Sequence, residues 1–205
     1  MTTKPRRTQA HRRAATVAKL VDATIEAIAE VGYHRTSLGE ISRRSGVSKG
    51  GIFRHFDSRI ELVVAAAEEV GHQHMAAFAA LSVVGDPLNF ADALRATRAQ
   101  IRHRTNTVWF ELLVAARTEP ELRIRLEPVA HALIADVERA AHEVLGPDTP
   151  AGLARLLATS LIHMFDGEAI FRITYPRPEL EDARIDYVAE VYRQLLDRNA
   201  AAVER

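Results

Sequence analysis

The chain has 205 residues, no cysteine and no net charge at pH 7, and 47% of its residues are hydrophobic. This composition supports a sizeable buried core and excludes disulfide bridges and thiolate metal sites. No run of about 18 apolar residues occurs, and no apolar segment follows the basic start, so we predict neither a membrane span nor a secretion signal.

The balanced net charge hides an uneven distribution along the chain. Residues 1–58 carry 11 lysines and arginines against 5 acidic residues, whereas residues 59–205 carry 16 against 22. A basic N-terminal part beside an acidic remainder indicates that only the first part meets a polyanion. A solvated basic tail would give the same charge pattern.

The N-terminal part is predicted to form four helices. An apolar stripe at helical spacing runs along the first helix, which ends at Gly32. Ser37 with Glu40, and Ser58 with Glu61, form capping boxes at the starts of the second and fourth helices. The stripe consists of Val17, Leu20, Val21, Ile25, Ile28 and Val31. The three helices that follow are predicted over residues 38–44, 49–55 and 59–81.

The remaining sequence is also predicted to be helical. Proline and glycine mark most of the helix boundaries, and Pro128 is expected to kink or interrupt one long helix. No window alternates between apolar and polar residues with a period of two, so we predict no strands and an all-α fold. The further helices are predicted over residues 87–103, 107–117, 118–145, 149–175 and 179–203.

The second and third helices have the spacing of a helix-turn-helix motif, with Gly46 supplying the positive φ of the turn. Five apolar residues of this segment can form a small core against the first helix: Leu38, Ile41, Val47, Ile52 and Phe56. The outer face is then left to Lys49, Gly50, Phe53, Arg54 and His55. Because glycine lowers helix stability, Gly50 and Gly51 are best explained by a close approach of the backbone to DNA.

The stretch from residue 32 to residue 62 resembles the DNA-binding domain of the TetR (tetracycline-repressor-like) family, and the resemblance extends over about residues 14–65. It implies an all-α fold with an N-terminal three-helix helix-turn-helix domain and a basic arm, residues 1–58. A linking helix joins this domain to a C-terminal helical ligand-binding and dimerisation domain, residues 59–205.

The resemblance also implies which residues contact DNA. In the family, a tyrosine, a histidine and a lysine usually lie at the positions of Phe53, His55 and Arg59. Phe53 lacks the hydroxyl with which the tyrosine donates to a phosphate. Lys49 and Gly50 fall where the family reads bases. The full predicted set is Ser37, Gly39, Arg43, Ser48, Lys49, Gly50, Phe53, His55 and Arg59. Arg6, Arg7, Arg12 and Arg13 form either a minor-groove arm or a solvated tail.

For the C-terminal part, the resemblance implies a ligand pocket between the central helices and a dimer formed by the last two helices. Simple core packing would explain many of the same apolar residues. The pocket candidates are Phe78, Trp109, Phe110, Leu113 and His163. The interface candidates are Gly167, Ile170, Tyr187, Val188, Val191, Tyr192 and Leu195.

No motif of a metalloprotease, a serine hydrolase or a phosphate-binding loop occurs, so we predict neither an enzyme nor a bound metal or cofactor. The predicted function is that of a cytoplasmic, homodimeric transcription repressor. It binds a pseudopalindromic DNA operator, and a small apolar or amphipathic ligand releases it. An adaptor that has lost DNA binding is disfavoured by Gly46, Lys49, His55 and Arg59. The sequence does not distinguish a repressor from an activator, because that difference depends on the position of the operator.

Overall fold

The computed structural model describes residues 8–84, 90–146 and 149–203, and within these ranges all regular secondary structure is helical. None of the helices there combines the length and apolar character needed to cross a bilayer. The helices are α1 (Gln9–Val31), α2 (Leu38–Ser45), α3 (Lys49–Ile52), α4 (Arg59–Val84), α5 (Phe90–Ile101), α6 (Asn106–Ala116), α7 (Pro120–Leu145), α8 (Ala151–Phe171) and α9 (Pro178–Val203).

The predicted helix-turn-helix motif is present in α2 and α3. The Ser37 hydroxyl caps α2 by accepting the Glu40 N–H at 3.2 Å. Gly46 ends α2 with φ 65°, in the left-handed region where a side chain would be strained. The Ser48 hydroxyl then caps α3 by accepting the Gly51 N–H at 3.1 Å. The predicted cap at Ser37 and the positive φ at Gly46 are therefore confirmed.

Helix α3 is shorter than predicted. It ends at Ile52 rather than at His55. The chain leaves the helix through a turn in which the His55 N–H donates to the Ile52 carbonyl oxygen at 2.9 Å. Gly50 and Gly51 favour the helix too weakly to extend it further. Phe53 and His55 therefore belong to the turn that follows α3.

The sequence predicted either a kink or an interruption at Pro128. The interruption is wrong, because α7 continues through this residue without a break, and the kink stays a prediction. Proline removes one backbone N–H, and the carbonyl that loses its donor belongs to Ile124. Pro128 lies on an exposed part of α7, so water can replace the missing donor. Exposure thus lowers the free-energy cost of the hydrogen bond that Pro128 removes. At a buried position, the same cost would end the helix.

The chain forms two compact units. The first comprises the residues up to Gly71 together with Arg104–Val129, and the second comprises the remainder. The first unit thus contains α6 and the start of α7 as well as the helix-turn-helix. The predicted boundary between a DNA-binding domain and a regulatory domain after residue 58 stays a prediction. Fully buried side chains of the first unit include Leu20, Ile28, Tyr33, Ile41, Ile52, Leu62, Val63, Leu112 and Leu122.

The second unit combines an apolar core with buried ion pairs. Leu94, Phe165 and Ile185 form the core, one residue from each of α5, α8 and α9. The Arg102 guanidinium donates to Glu168 at 2.6 Å and to Glu181 at 2.7 Å. Because both carboxylates are buried, their pairing with arginine fixes the positions of the three helices.

Candidate DNA-binding site

The start of α3 presents an open surface. Ser48, Lys49 and Gly50 are all exposed. A Cβ atom built on Gly50 would meet no atom within 4 Å. The first residues of the recognition segment therefore leave room for another molecule to approach the backbone.

The N-terminal end of α2 lies beside this surface. A Cβ atom on Gly39 would be 3.8 Å from the Nζ atom of Lys49, so the lysine side chain lies along Gly39. Ser37, which precedes α2, is exposed as well. The structure thus brings four predicted DNA contacts together, namely Ser37, Gly39, Lys49 and Gly50.

Arg43 is exposed but is already paired within α2. Its guanidinium donates to the two carboxylate oxygens of Glu40 at 2.6 Å and 3.0 Å. Arg44 shares Glu40 and also pairs with Glu30 at 2.7 Å. The hydrogen bonds from Arg43 and Arg44 lower the pKa of Glu40 to about 2, so this carboxylate stays charged at neutral pH. The predicted phosphate contact of Arg43 stays a prediction, and it would require the guanidinium to share its charge with Glu40.

Phe53 and His55 differ in exposure within the turn after α3. The Phe53 side chain is 53% exposed. His55 is half-buried, and its Nδ1 atom has no hydrogen-bond partner in the part of the chain that the structure describes. Phe53 can therefore meet DNA directly, while His55 retains one unsatisfied nitrogen.

Arg59 is directed into the chain. Its Nε atom donates to the Thr36 carbonyl oxygen at 2.6 Å, and a terminal nitrogen donates to the Tyr33 carbonyl oxygen at 2.5 Å. Its guanidinium also lies over the Tyr33 ring, 4.2 Å from the ring centroid. This geometry favours an internal role for Arg59 over the predicted phosphate contact.

The predicted basic arm is divided by the start of α1. Arg12 and Arg13 lie in the first turns of α1 and are exposed, and the Thr8 hydroxyl caps this helix by accepting the His11 N–H at 3.3 Å. They are therefore helical rather than part of an extended arm. Arg6 and Arg7 lie outside the described residues.

The five pocket candidates belong to both units. In the first unit, Trp109 is buried, Phe110 is half-buried and Leu113 is exposed. The Trp109 Nε1 atom is buried and has no hydrogen-bond partner among the described residues. In the second unit, Phe78 is half-buried and His163 is exposed. A common pocket for these residues stays a prediction.

The interface candidates fall into two groups. Ile170 and Tyr187 are 46% and 70% exposed, and a Cβ atom on Gly167 would meet nothing within 4 Å. Val188 instead packs against the core of its own unit, and the Tyr192 ring stacks on Phe90 with centroids 4.8 Å apart. Val191 and Leu195 are half-buried. The first group remains available to a second chain.

Sequence reasoning missed two acidic residues that bind the end of α1. Glu111 of α6 accepts the Tyr33 N–H at 2.9 Å, and Glu119, which directly precedes α7, accepts the Tyr33 hydroxyl at 2.5 Å. These partners are separated by 78 and 86 residues in the chain. No local sequence pattern predicts such contacts, because they depend on how the helices pack.

Comparisons with known proteins agree with this geometry. The family model described as "Bacterial regulatory proteins, tetR family" matches residues 20–66. An uncharacterised HTH-type transcriptional regulator of Mycobacterium tuberculosis is 37% identical over 182 residues, which cover 87% of this chain and 93% of the relative.

Solved structures show the same architecture. A transcriptional regulator from Rhodococcus sp. matches with a TM-score of 0.70 at 25% identity, covering 87% of this chain and 96% of that one. FadR of Bacillus subtilis, solved in complex with stearoyl-CoA, matches with a TM-score of 0.62 at 16% identity, covering 85% and 96%. The helix-turn-helix geometry, the family model and the mycobacterial relative agree: this chain belongs to the TetR family of DNA-binding transcriptional regulators.

Proposed function

We propose that the protein is a homodimeric repressor that binds a pseudopalindromic operator and leaves it when a small apolar or amphipathic molecule binds. The observation that carries DNA binding is the open surface of Lys49 and Gly50 beside Ser37 and Gly39. A lysine next to side-chain-free backbone suits both a base edge and a phosphate. A regulator of this kind acts where the chromosome lies, which is the cytoplasm of a bacterium.

The exposed apolar residues of α8 and α9 support a dimer. Six large apolar side chains are between 46% and 74% exposed over the end of α8, the connecting segment and the start of α9. They are Ile170, Phe171, Ile173, Tyr175, Leu180 and Tyr187. A concentration of exposed apolar side chains along a short stretch is typical of a protein interface. A two-fold dimer would present two copies of α3, which accounts for a pseudopalindromic operator.

The chemistry of the pocket candidates supports an apolar effector. The candidate residues are mostly aromatic or aliphatic, and the buried Trp109 Nε1 atom is a donor that a polar group of a ligand could satisfy. FadR of Bacillus subtilis, which shares the fold, holds stearoyl-CoA. α4 runs from the helix-turn-helix into the second unit, so a shift of α4 would alter the spacing of the recognition helices.

Selection of bound duplexes from a random DNA pool tests the DNA-binding part of this proposal. We expect enrichment of one pseudopalindrome, bound by two chains. A reporter gene with that operator downstream of its promoter should be expressed less when the protein is present, and increased expression would contradict a repressor.

The effector is tested by a thermal-shift screen of metabolites and drugs. Each stabilising compound is then added to the preformed complex with the operator. Under this proposal, compounds that stabilise the protein should also weaken its binding to DNA, and by linkage DNA should weaken their binding by the same factor. Replacing Trp109 with alanine should weaken the binding of these compounds to the protein. Stabilising compounds that never change DNA affinity would contradict release by an effector.

A further inference from the structure

Every polar group of Tyr33, the first residue after the C-cap glycine of α1, is held by another segment. Its N–H donates to Glu111 and its hydroxyl donates to Glu119, while its carbonyl oxygen accepts from Arg59. The side chain is 0% exposed. We call Tyr33, Arg59, Glu111 and Glu119 the Tyr33 clamp.

The clamp joins four parts of the first unit at one point. Tyr33 lies between α1 and α2, Arg59 begins α4, Glu111 lies in α6 and Glu119 directly precedes α7. The positive φ of Gly32, at 81°, turns the chain at the end of α1. A Cβ atom on Gly32 would be 2.9 Å from the Glu111 carboxylate, so glycine also permits the approach of this acid. Both the turn and the contact therefore depend on the same glycine.

The protonation state of Tyr33 and the charge of Arg59 both agree with the contacts that the Tyr33 clamp makes. Burial and the hydrogen bond to Glu119 raise the pKa of Tyr33 above its ordinary value, so the hydroxyl remains a neutral donor at physiological pH. The Arg59 guanidinium lies over the tyrosine ring, where a cation is attracted by the electron-rich face. The positive charge of Arg59 thus lies over the ring of a residue whose N–H and hydroxyl are bound by two carboxylates.

The clamp leads directly to the DNA-binding surface. Arg59 also binds the carbonyl oxygen of Thr36, and Thr36 is fully buried. The next residue is Ser37, the cap of α2. Arg59 and Tyr33 therefore fix the short segment from which α2 starts, and α2 carries Gly39 against Lys49.

We propose that Tyr33 and Arg59 are positioning residues for operator binding, through which Glu111 and Glu119 set the orientation of α2 and α3. The proposal rests on the proposed DNA-binding function. It assigns Arg59 an indirect effect on DNA, in place of a direct phosphate contact. It also makes the affinity for the operator depend on two acids that lie outside the helix-turn-helix.

Two conservative variants test the clamp without emptying the core. Tyr33→Phe removes the hydroxyl and keeps the ring, and Glu119→Gln removes the charge and keeps the size. Each should weaken binding to the selected operator about three- to tenfold, measured by fluorescence anisotropy at fixed salt. The double variant should be little weaker than Tyr33→Phe alone, because Glu119→Gln acts by weakening the same hydrogen bond that Tyr33→Phe removes.

The sign of the change in operator affinity distinguishes a positioning role from a general electrostatic effect of the lost charge. Removing a negative charge near DNA ordinarily strengthens binding, whereas loss of the clamp weakens it. Glu121→Gln is the matched control, since Glu121 is an exposed acid in the first turn of α7 that takes no part in the clamp. Its affinity should equal or slightly exceed that of the wild type. Tighter binding by both glutamine variants would overturn the proposal.

Arg59→Lys tests the indirect role of the arginine. A lysine keeps the charge that a phosphate contact needs but cannot bind two carbonyl groups with a planar fork. We expect weaker binding with an unchanged dependence on salt, because the number of phosphate contacts stays the same. Wild-type affinity in Arg59→Lys would overturn this role. If this variant fails to fold, Tyr33→Phe and Glu119→Gln decide the proposal between them.

Thermal unfolding and circular dichroism confirm that each variant is folded at the temperature of the binding assay. Folded Tyr33→Phe and Glu119→Gln variants that bind within twofold of the wild type would overturn the clamp alone. A wild-type protein that enriches no DNA sequence would instead overturn the proposed function and the clamp with it.

Discussion

Gly50 and Gly51 are neighbours in α3, yet a side chain would meet opposite surroundings at the two positions. A Cβ atom on Gly50 would meet nothing within 4 Å, whereas one on Gly51 would be 2.8 Å from the Cγ1 atom of Val47. Gly51 is therefore explained by packing inside the motif. Gly50 has no such explanation among the described residues, and the proposed function assigns its open position to DNA contact.

This difference predicts opposite results for two otherwise identical substitutions. Gly50→Ala should leave the protein folded, with a gain of up to about 1 kcal/mol in helix propensity, and should weaken operator binding. Gly51→Ala should lower the midpoint of thermal unfolding, because the Val47 side chain must move. Unfolding and operator titrations of both variants check this. Unchanged DNA binding by Gly50→Ala would show that its backbone stays away from DNA.

Phe53→Tyr is predicted to strengthen DNA binding. The Phe53 side chain is 53% exposed, so an added hydroxyl need not disturb the core. A phenol at this position can donate to a phosphate, and a hydrogen bond to a charged group is worth about 1.5–3 kcal/mol, or roughly tenfold or more in affinity. The measurement is the Kd for the selected operator.

Phe53→Leu serves as the control, since it changes the apolar surface without adding a donor. Weaker or unchanged binding by Phe53→Tyr would place Phe53 away from the phosphates.

Lys49→Ala is predicted to weaken operator binding without unfolding the protein, because Lys49 is exposed. Loss of a phosphate contact should reduce the slope of log K against log salt by about one unit. Loss of a base contact should instead relax specificity, at about 1–3 kcal/mol. Arg43→Ala should have a smaller effect, because Arg43 already pairs with Glu40. Affinity equal to the wild type in Lys49→Ala would move the recognition surface elsewhere.

Gly167→Leu is predicted to weaken the dimer and leave the isolated chain folded, since its Cβ position is open within the chain. Sedimentation velocity at micromolar concentration measures the change in association. Gly152→Leu is the matched control, because Gly152 lies in the same helix, has an equally open Cβ position and is outside the predicted interface. If the two variants associate equally, Gly167 lies outside the dimer interface.

The buried ion pairs of the second unit predict a loss of stability in acid. Burial alone would raise the pKa of Glu181, but the hydrogen bond from the Arg177 N–H and the charges of Arg102 and Arg172 lower it below 4.5. A folded-state pKa below the unfolded value stabilises the fold above pH 4.5, and this contribution is lost as the pH falls through the folded pKa.

The stability advantage of the wild type over Glu181→Gln should therefore shrink below pH 4.5. The midpoints of thermal unfolding of the two proteins at pH 3–7 measure this change. Burial lowers the pKa of His74 to about 4, with a smaller effect of His103, so protonation of this histidine also destabilises the fold as the pH falls below 6.5. His74 contributes equally to both proteins and cancels in the difference. A constant difference across the range would contradict the role of Glu181.

The features that sequence predicted correctly are those with local causes. The cap at Ser37, the left-handed Gly46 and the helix end at Gly32 each depend on residues within one turn of the chain. The early end of α3 was not predicted, and the sequence left open whether Pro128 kinks or interrupts α7, because both outcomes depend on a balance between weak helix propensity and exposure.

The candidate site was predictable only as a set of residues on one face. The proximity of Lys49 to Gly39 follows from the motif, but the inward direction of Arg59 depends on Tyr33 and Thr36. Glu111 and Glu119 are separated from Tyr33 by 78 and 86 residues in the chain, yet both carboxylates bind it. Contacts of this kind arise from helix packing, which periodicity and spacing do not encode.

The affinity of the wild-type dimer for the selected operator, relative to a scrambled duplex of the same composition, tests the central claim most directly. Both are measured at the same salt concentration, and a footprint is taken of the operator complex. We predict a preference of at least about a thousandfold, with two protected regions one helical turn apart. Equal affinity for the operator and the scrambled duplex would contradict sequence-specific DNA binding.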